Sequence, residues 1–520
     1  MKKLLTIIAT LLITVKIYAT EIPEFVKIGL QTQYANQSDI VVKNKELYMY
    51  YNNEAVLAEF DAKNNFVFKP SNKYYIGVKA EFASYEDALV ESELYNTGVV
   101  AYVGETDFKV YVGGYEVREE AEELLELATS RNPEKEHFVI ESADNRLELY
   151  EGPNRLLLID SKLDQPTFKT EDVIVLQHHE YRGYLELRRY NEKGLLPVNV
   201  VNIEEYLKGV VPAEMSSKWE LEALKTQAVA ARDYAIQKLG RHENHGYDLC
   251  DTEHCQVYKG FDYETEKTNK AVEDSKGYLL YYGNEVIPTY YSASSGGHTE
   301  DSNNVWGNVS YAYLKGVPDI YEDDDVWERH YTADELEDRF EYYFDGEKIG
   351  TIIDVIPKEM SKSGRLIEVE IKGTRGSKTL RKSSVRTFFP RIERNDNKSF
   401  KSAKFIVKLA NGDYSTNLLS EGAYQIGKKL KDFKMLSAGR NTKSISKRKD
   451  KVVHILGAND NRISSKIEDR DSEMFIFQGR GYGHGVGMSQ VGANAFAKNG
   501  YTFDQILTYY FTGTEVRENK

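Results

Sequence analysis

The chain has 520 residues, of which 41% are hydrophobic and 29% charged, and its formal net charge is −14. At about 150 residues per domain this length predicts three or four domains, and the apolar content excludes an intrinsically disordered or collagen-like chain. The acidic charge argues against nucleic acid or an anionic membrane surface as a partner over a large area. Only two cysteines are present, which excludes a scaffold held together by disulfides. We therefore expect a large, acidic, folded protein.

The N-terminus has the pattern of a secretory signal. Lys2 and Lys3 precede an apolar run from Leu4 to Val15, and Ala19 ends a candidate cleavage site. The apolar run is shorter than the ~20 residues that span a bilayer as a helix. We predict a signal peptide over residues 1–19, with an uncleaved membrane anchor as the alternative, and no later membrane span. The working part of the chain is then extracytoplasmic, secreted or associated with the cell wall.

An internal repeat follows the first strand-rich segment, which covers residues 24–72. YIGVKAEFASYEDA (75–88) aligns with FKVYVGGYEVREEA (108–121) at an offset of 33 residues. Each copy predicts a strand, a turn and a helix with an acidic first turn, which suits the positive end of the helix dipole. Two copies are typical of a β-α-β-β-α-β layer with both helices on one face, here over residues 73–130. The pattern resembles a SPOR (sporulation-related repeat) domain, whose relatives bind peptidoglycan strands stripped of their peptides; a generic ferredoxin-like module is the alternative.

The rest of the chain predicts many strands and few helices. Segment 137–181 again alternates strand patterns with Asn, Asp, Gly and Pro turns. Ser217 and Glu220 fit a capping box, which predicts an amphipathic helix over 219–239. A short helix is predicted near 503–510, and the basic stretch 428–451 is interpreted as a solvated insertion. The fold class is therefore α+β, strand-rich with a few helices.

Glu214 lies in the segment VVPAEMSSKW. Pro212 disfavours helix at Val211, so we expect Glu214 on a turn between a strand and the long helix. Apolar neighbours would raise the pKa of its carboxyl and keep a proton available for donation, whereas the N-terminus of the following helix would lower it. These residues leave open the alternative that Glu214 only supports helix capping.

The segment HENHGYDLCDTEHC contains both cysteines and three of the ten histidines. Thiolate and imidazole are the ligands that Zn²⁺ prefers, and four of them close a tetrahedral structural site. The predicted ligands are His245, Cys250, His254 and Cys255, with His242 as a substitute. A Cys250–Cys255 disulfide is the alternative, although its small ring gains little loop entropy and leaves the histidines without a role.

Two further segments are rich in small residues, namely YYSASSGGHTED (290–301) and GRGYGHGVGMSQVGA (479–493). Glycine-rich turns let a polar ligand approach the backbone closely. Neither segment has the spacing of a P-loop, a dinucleotide fingerprint or a nucleophile elbow. Tight turns without a ligand remain the alternative.

In this order the segments resemble the SpoIID/LytB family of peptidoglycan-lytic enzymes. The resemblance is carried by VNIEEYLKGVVPAEM, ELEALKTQAVAARDYAI, DTEHCQVYKG, YYSASSGGHTE with Trp306, and GYGHGVGMSQVGANAFAKNGYTFDQILTYYFTG. It implies a catalytic domain over 182–516 that acts as a lytic transglycosylase on the MurNAc–GlcNAc bond of glycan strands. It also implies Glu214 as the catalytic acid, a zinc site as in some members, and a role in sporulation or cell-wall remodelling with a cell-wall amidase as partner.

The implied chemistry needs a single carboxylate. An ordinary glycosidase uses two, whereas a lytic transglycosylase lets the C6 hydroxyl of the substrate attack the anomeric carbon. Glu300 and Asp301 are spare acids. The side chains predicted to position the sugar are Tyr290, Ser292, Ser295, His484, Ser489 and Gln490. The alternatives are a non-catalytic peptidoglycan-binding protein or amidase modulator, and a zinc metallohydrolase, against which a closed four-ligand site argues.

Overall fold

The computed structural model describes residues 22–519 with internal gaps. The gaps are 163, 178, 308–309, 324, 390–398, 410–413, 421–422, 430–433, 437–441, 445–451, 457–461 and 467–473. The predicted signal peptide and most of the basic stretch lie outside the described residues. Within the described part, no helix is long and apolar enough to cross a membrane. The structure is 38% strand and 26% helix, which confirms the predicted α+β, strand-rich class.

Strands dominate the described residues between 22 and 202. The elements are β1 (Phe25–Gly29), α1 (Gln31–Tyr34), β2 (Ile40–Val42), β3 (Glu46–Tyr51), β4 (Ala55–Asp61), β5 (Phe66–Ser71), β6 (Tyr74–Phe82), α2 (Tyr85–Ser92), β7 (Gly98–Gly104), β8 (Asp107–Tyr115), α3 (Arg118–Arg131), β9 (His137–Ile140), β10 (Arg146–Glu151), β11 (Asn154–Ile159), β12 (Thr167–Lys169), β13 (Ile174–Leu176), β14 (His179–Tyr181), β15 (Tyr184–Arg189) and β16 (Leu195–Asn202). Ten of these strands form one sheet in the order β14-β13-β2-β5-β10-β11-β7-β8-β6-β9.

The internal repeat folds as the predicted β-α-β-β-α-β layer. Its four strands lie in the order β7-β8-β6-β9 and all pair antiparallel. Tyr85 and Ala88 of α2 belong to the main core, and Leu125 and Ala128 of α3 pack against the same core, so both helices cover one face. The layer is not a separate sheet, because β7 also pairs in parallel with β11 and continues the ten-stranded sheet.

A helical layer follows β16. Its elements are α4 (Ile203–Glu214), α5 (Leu221–Gln237), β17 (Leu249–Cys250), α6 (Glu266–Asp274), β18 (Tyr278–Tyr282), β19 (Glu285–Val286), β20 (Tyr291–Ser292) and α7 (Ser302–Val305). β17 joins a seven-stranded sheet in the order β17-β1-β16-β15-β12-β3-β4. Strands from both sides of residue 182 therefore share one sheet, and the N-terminal strands and this helical layer share the main hydrophobic core.

Helix α5 differs from its prediction in two respects. Glu220 is its N-cap and makes no side-chain cap hydrogen bond, so the capping box with Ser217 was wrong. The helix is also not amphipathic, because nearly all side chains from Ala223 to Ala235 are buried. Its many alanines let other elements pack closely around it, and the fully buried Arg232 forms a two-pronged ion pair with Glu204, at 2.8 and 2.6 Å.

A second unit with its own hydrophobic core lies between the two glycine-rich segments. Its elements are β21 (Val326–Thr332), α8 (Ala333–Tyr343), β22 (Ile352–Met360), β23 (Leu366–Gly373), β24 (Gly376–Arg381), α9 (Ser384–Thr387), β25 (Phe405–Leu409), β26 (Tyr414–Ser420), β27 (Ala423–Lys429), β28 (Lys434–Leu436), β29 (Thr442–Ser444), β30 (Val452–Leu456), β31 (Arg462–Lys466) and β32 (Met474–Arg480). We call residues 326–480 the inserted unit.

The chain then returns to the main core. The last elements are β33 (Met488–Ser489), α10 (Gln490–Lys498), α11 (Phe503–Tyr510) and β34 (Glu515–Glu518). Helix α11 has the predicted bounds, and β34 pairs with β18. The two glycine-rich segments meet here, because β20 and β33 pair in parallel with Tyr291 opposite Met488.

Candidate functional site

Glu214 is the last residue of α4 rather than part of a turn, so the predicted effect of Pro212 on this segment was wrong. Proline removes one helical hydrogen bond, but Val210 and Val211 beside it are fully buried, and this packing offsets the loss. The Glu214 carboxyl is half-buried, and both of its oxygens accept hydrogen bonds. The Val257 N–H donates to Oε1 at 3.0 Å, and Nε2 of Gln490 donates to Oε2 at 3.4 Å.

Burial raises the pKa of Glu214, and this is the largest influence on it. The hydrogen bonds from Val257 and Gln490 lower the pKa because they favour the carboxylate, whereas the nearby charge of Glu253 raises it. The position at the C-terminal end of α4 acts in the same direction as burial, because the helix dipole is negative there. The pocket therefore raises the pKa of the carboxyl above its ordinary value, while polar donors hold it in place.

The pocket is completed by three residues that the sequence analysis did not single out, namely Tyr291, Gln256 and Gln227. The Tyr291 hydroxyl donates to Oε1 of Gln256 at 2.8 Å, and burial raises the pKa of Tyr291 well above its ordinary value, so it stays neutral. Nε2 of Gln490 also contacts Oε1 of Gln227, at 3.3 Å. All three lie within the segments that carry the family resemblance, but nothing in their local spacing distinguishes them from core residues.

Two of the predicted sugar-binding side chains form a ring-lined wall with Trp306. The ring of Tyr290 lies 4.9 Å from that of Trp306, which in turn lies 4.7 Å from the ring of His484. Burial lowers the pKa of His484 to about 3, aided by the cations Arg386 and Arg365, so its ring is neutral. Its Nδ1 accepts the N–H of Val486 at 3.0 Å, which fixes the orientation of the ring.

The three predicted serines accept backbone hydrogen bonds that hold the two glycine-rich segments in place. Ser295 and Ser489 are fully buried. Oγ of Ser489 accepts N–H groups from Ser295 and Gly492, at 3.3 and 3.1 Å, and so caps α10. Oγ of Ser292 accepts the N–H of Gly485 at 3.2 Å. We therefore assign these serines a structural role.

Oγ of Ser295 lies within hydrogen-bond distance of both Asp319 and Glu322, and its single proton is donated to one of these two carboxyl groups at a time. Asp319 is itself buried, and burial together with the charge of Glu322 raises its pKa to about 8. These contacts occupy the Ser295 hydroxyl within the protein, which leaves it unavailable to a sugar.

The two spare acids are also occupied by protein groups. Glu300 is buried, and its Oε2 accepts hydrogen bonds from Ser361 and Ser363 of the inserted unit. Asp301 caps α7 and forms an ion pair with Lys315 at 2.8 Å. Both carboxylates are therefore bound by protein groups, and Glu300 ties the inserted unit to the first glycine-rich segment.

The histidine- and cysteine-rich loop brings four ligand atoms together, but with His242 in place of the predicted His245. Atoms of His242, Cys250, His254 and Cys255 all lie within 4.8 Å of one another. His245 ends a single 3₁₀ turn before Gly246, whose φ is +79°, and it is exposed outside this group. The ring of His242 stacks on Tyr247 at 4.9 Å, which holds it over the cysteines.

The spacing of these atoms matches a tetrahedral metal site. Sγ of Cys255 lies 3.4 Å from Nε2 of His242 and 3.6 Å from Nδ1 of His254, and Sγ of Cys250 lies 3.7 Å from the same Nδ1. A zinc ion with bonds of about 2.1–2.3 Å separates its ligands by about 3.6 Å, so the four residues fit this ion. Both thiols are free, with no disulfide between them.

The loop leads directly into the pocket of Glu214. Cys255 is followed by Gln256 and by Val257, whose N–H contacts Glu214. Nε2 of Gln256 donates to the carbonyl of Ala231 in α5 at 3.2 Å, which anchors this short stretch from the other side. The conformation of the loop therefore determines the position of the Val257 N–H beside the Glu214 carboxyl.

Residues 191–282 match the family described as "Stage II sporulation protein", and residues 321–422 match a domain of unknown function. The chain is 30% identical over 352 residues to an uncharacterized protein of Brachyspira hyodysenteriae. This match covers 67% of this chain and 75% of that protein. It is 33% identical over 312 residues to the amidase enhancer of Bacillus subtilis, and this match covers 59% of this chain but only 40% of that protein. Stage II sporulation protein D of B. subtilis is 27% identical over 62% of this chain and 76% of its own length.

Proposed function

Since the chain belongs to the SpoIID (stage II sporulation protein) family, we propose that it is an exported lytic transglycosylase of peptidoglycan. It cleaves the MurNAc–GlcNAc bond and leaves 1,6-anhydroMurNAc ends. The observation that carries the proposal is the Glu214 pocket, where one half-buried carboxyl of raised pKa receives donors on both oxygens. The spare acids Glu300 and Asp301 are bound by protein groups, so a mechanism with one carboxylate fits best.

In this mechanism Glu214 acts first as an acid and then as a base. Its proton passes to the glycosidic oxygen as the bond from C1 of MurNAc breaks. The resulting carboxylate accepts the proton of the C6 hydroxyl, whose oxygen bonds to C1 and closes the anhydro ring, so no water is consumed. Val257 and Gln490 stabilise the carboxylate between the two steps, and acid–base help of this kind contributes about 10²–10⁴ in rate.

The metal belongs to the same proposal in a structural role. His242, Cys250, His254 and Cys255 would hold one zinc ion, which when bound would order the loop. Four protein ligands close the site, whereas a zinc ion that activates water keeps one position open. The zinc metallohydrolase alternative is therefore disfavoured by the ligand count.

The N-terminal half would bring the enzyme to its substrate. The β-α-β-β-α-β layer has the topology expected for the SPOR-like module, and we propose that it binds glycan strands stripped of their peptides. Such strands are the product of a cell-wall amidase, which makes an amidase the natural partner. Export by the N-terminal signal and a role in sporulation or wall remodelling complete the proposal.

The test is the chemistry of the product. Amidase-treated glycan strands are incubated with the full chain, and the new ends are identified by mass spectrometry. Ends of 1,6-anhydroMurNAc are expected. Ordinary reducing ends would mean hydrolysis and would overturn the proposal; the exposed Glu253, whose charge acts on Glu214, would then be the second carboxylate to examine.

A second candidate function is supported by the name of one relative, "Amidase enhancer". In this alternative the chain presents glycan to an amidase, or modulates it, without cutting the glycan itself. A binding assay on glycan strands together with an amidase assay distinguishes the two. Enhanced amidase activity that is equal for the full chain and for Glu214→Gln, with no new glycan ends, would favour this alternative.

A further inference from the structure

A cavity of about 280 Å³ opens beside Tyr290, which belongs to the ring-lined wall and directly precedes Tyr291 of the Glu214 pocket in the chain. Four tyrosines line it, namely Tyr282, Tyr290, Tyr311 and Tyr313. Lys238 and Glu285 provide the only charged groups of its lining within the described residues. We call this feature the tyrosine pocket.

The tyrosine pocket adjoins the ring-lined wall, because Tyr290 belongs to both. The ring of Tyr290 lies 4.9 Å from that of Trp306, and the ring of Trp306 lies 4.7 Å from that of His484. Within the pocket, the ring of Tyr313 lies 5.3 Å from that of Tyr282 and 5.5 Å from that of Tyr311. A ligand that lies along the ring-lined wall and extends past Tyr290 therefore meets a further set of aromatic rings.

These tyrosines are available to a ligand. Tyr282 is 41% exposed and Tyr311 is 46% exposed, although large aromatic side chains usually bury most of their surface. In the part of the chain that the structure describes, the hydroxyls of Tyr282, Tyr311 and Tyr313 make no hydrogen bond to the protein. Their rings and hydroxyls thus offer both an apolar face and unused polar groups.

We propose that the tyrosine pocket is an additional sugar subsite, which holds the glycan strand beyond the bond that is cleaved. A pyranose ring has an apolar C–H face that packs on aromatic rings and a polar rim that hydrogen-bonds to their hydroxyls. The volume lies just below the ~300–1,000 Å³ of typical ligand pockets, which suits one sugar unit at a time. This inference rests on the proposed function for the identity of the strand.

The charges at the pocket fit the same ligand. Nζ of Lys238 lies 5.4 Å from the centre of the Tyr290 ring, where it can meet the lactyl carboxylate of a muramic acid unit that has lost its peptide. The exposed carboxylate of Glu285 can accept a sugar hydroxyl or an acetamido N–H. A strand that still carries its stem peptides offers no free lactyl carboxylate.

The test measures binding to the full chain in a Glu214→Gln background, so that no strand is cut during the measurement. The probes are β-1,4-linked N-acetylglucosamine oligomers of two, four and six units. Their binding affinities are measured by calorimetry. We expect the hexamer to bind more tightly than the dimer. The double variant Tyr282→Ala/Tyr313→Ala should lose about tenfold in hexamer affinity and leave dimer affinity unchanged.

The controls separate a subsite from a folding effect. Tyr342→Ala, which removes a tyrosine that is 74% exposed on the inserted unit, should leave both affinities unchanged. The pair Tyr282→Phe/Tyr313→Phe retains the rings and should recover most of the hexamer affinity. Circular dichroism checks that each variant is folded.

The outcomes distinguish this inference from the proposed function. Equal hexamer affinity in the parent and in the alanine double variant would overturn the subsite, even if anhydro ends are produced. Pocket-dependent hexamer binding, together with no glycan cleavage by the unsubstituted chain, would support the subsite and reject the lytic activity.

Discussion

The histidine- and cysteine-rich loop and the Glu214 pocket are neighbours, but they are built from very different lengths of chain. The four candidate metal ligands all lie between His242 and Cys255. The pocket instead joins Glu214 to Val257 and to Gln490, which is 276 residues away in the sequence. The loop therefore depends mainly on local turns, whereas the pocket depends on the packing of the whole main core. Substitutions in the pocket should therefore change activity, whereas substitutions in the loop should change metal content and thermal stability.

The largest effect is expected at the centre of the pocket. Glu214→Gln removes the proton that is donated and should lower the rate of glycan cleavage by about 10²–10⁴. The matched control is Glu220→Gln, six residues away, where the side chain is exposed and makes no cap hydrogen bond. The rate is measured from new glycan ends. Full activity in Glu214→Gln, or equal losses in both variants, would contradict the assignment.

The loop is tested by a pair of histidine variants. His242→Ala removes a ligand atom, so the bound zinc should fall from one equivalent to a small fraction and the melting temperature by roughly 5 °C. His245→Ala, which lies outside the ligand group, should retain the metal and the melting temperature. Elemental analysis and calorimetry give both quantities. Zinc loss on His245→Ala alone would restore the ligand set predicted from the sequence.

The connection between the main core and the inserted unit is tested at Glu300. Glu300→Ala leaves the hydroxyls of Ser361 and Ser363 without their buried acceptor and should cost about 2–4 kcal/mol in free energy of unfolding. Asp301→Ala removes a half-buried cap and a partly exposed ion pair, and should cost only about 1 kcal/mol. Urea unfolding measures both. A smaller cost at Glu300 than at Asp301 would mean that the inserted unit is held elsewhere.

A smaller effect is expected in the second glycine-rich segment. Gly485 has φ of +78°, and a Cβ there would collide with the guanidinium of the buried Arg365. Gly346 also has a positive φ, +86°, but a Cβ there meets no atom within 4 Å. Gly485→Ala should therefore cost about 1–3 kcal/mol more than Gly346→Ala. Equal costs would show that Arg365 moves aside freely.

The smallest effect is a shift of the pH profile. Gln490→Ala removes a donor that lowers the pKa of Glu214, so the pKa should rise further. Because the acid must be protonated to donate, activity is present below this pKa and is lost as the pH rises through it. The basic limb of the profile of kcat/KM should therefore move to higher pH in the variant. A shift to lower pH would contradict the direction of the Gln490 contact.

Local patterns determined several elements of this protein. The acidic first turns of the repeat predicted α2 and α3, and the antiparallel order of their four strands followed from the duplicated pattern. Helix α11 has its predicted bounds. The spacing of cysteines and histidines predicted the loop in which candidate metal ligands come together. The helices and this loop depend on residues that are close in sequence, which a pattern can reveal.

Tertiary packing determined features of the site that local patterns did not predict. It continued α4 through Pro212 to Glu214, because buried valines offset the lost hydrogen bond. In the histidine- and cysteine-rich loop, by contrast, a local turn that ends at Gly246 with a positive φ leaves His245 outside the ligand group, and His242 takes its place. Ser295 and Ser489 became structural because two distant segments pair there and bury both hydroxyls. The sequence by itself thus determined which residues carry suitable functional groups. Only the tertiary structure decided which of these residues come into contact, because a partner far along the chain leaves no local pattern.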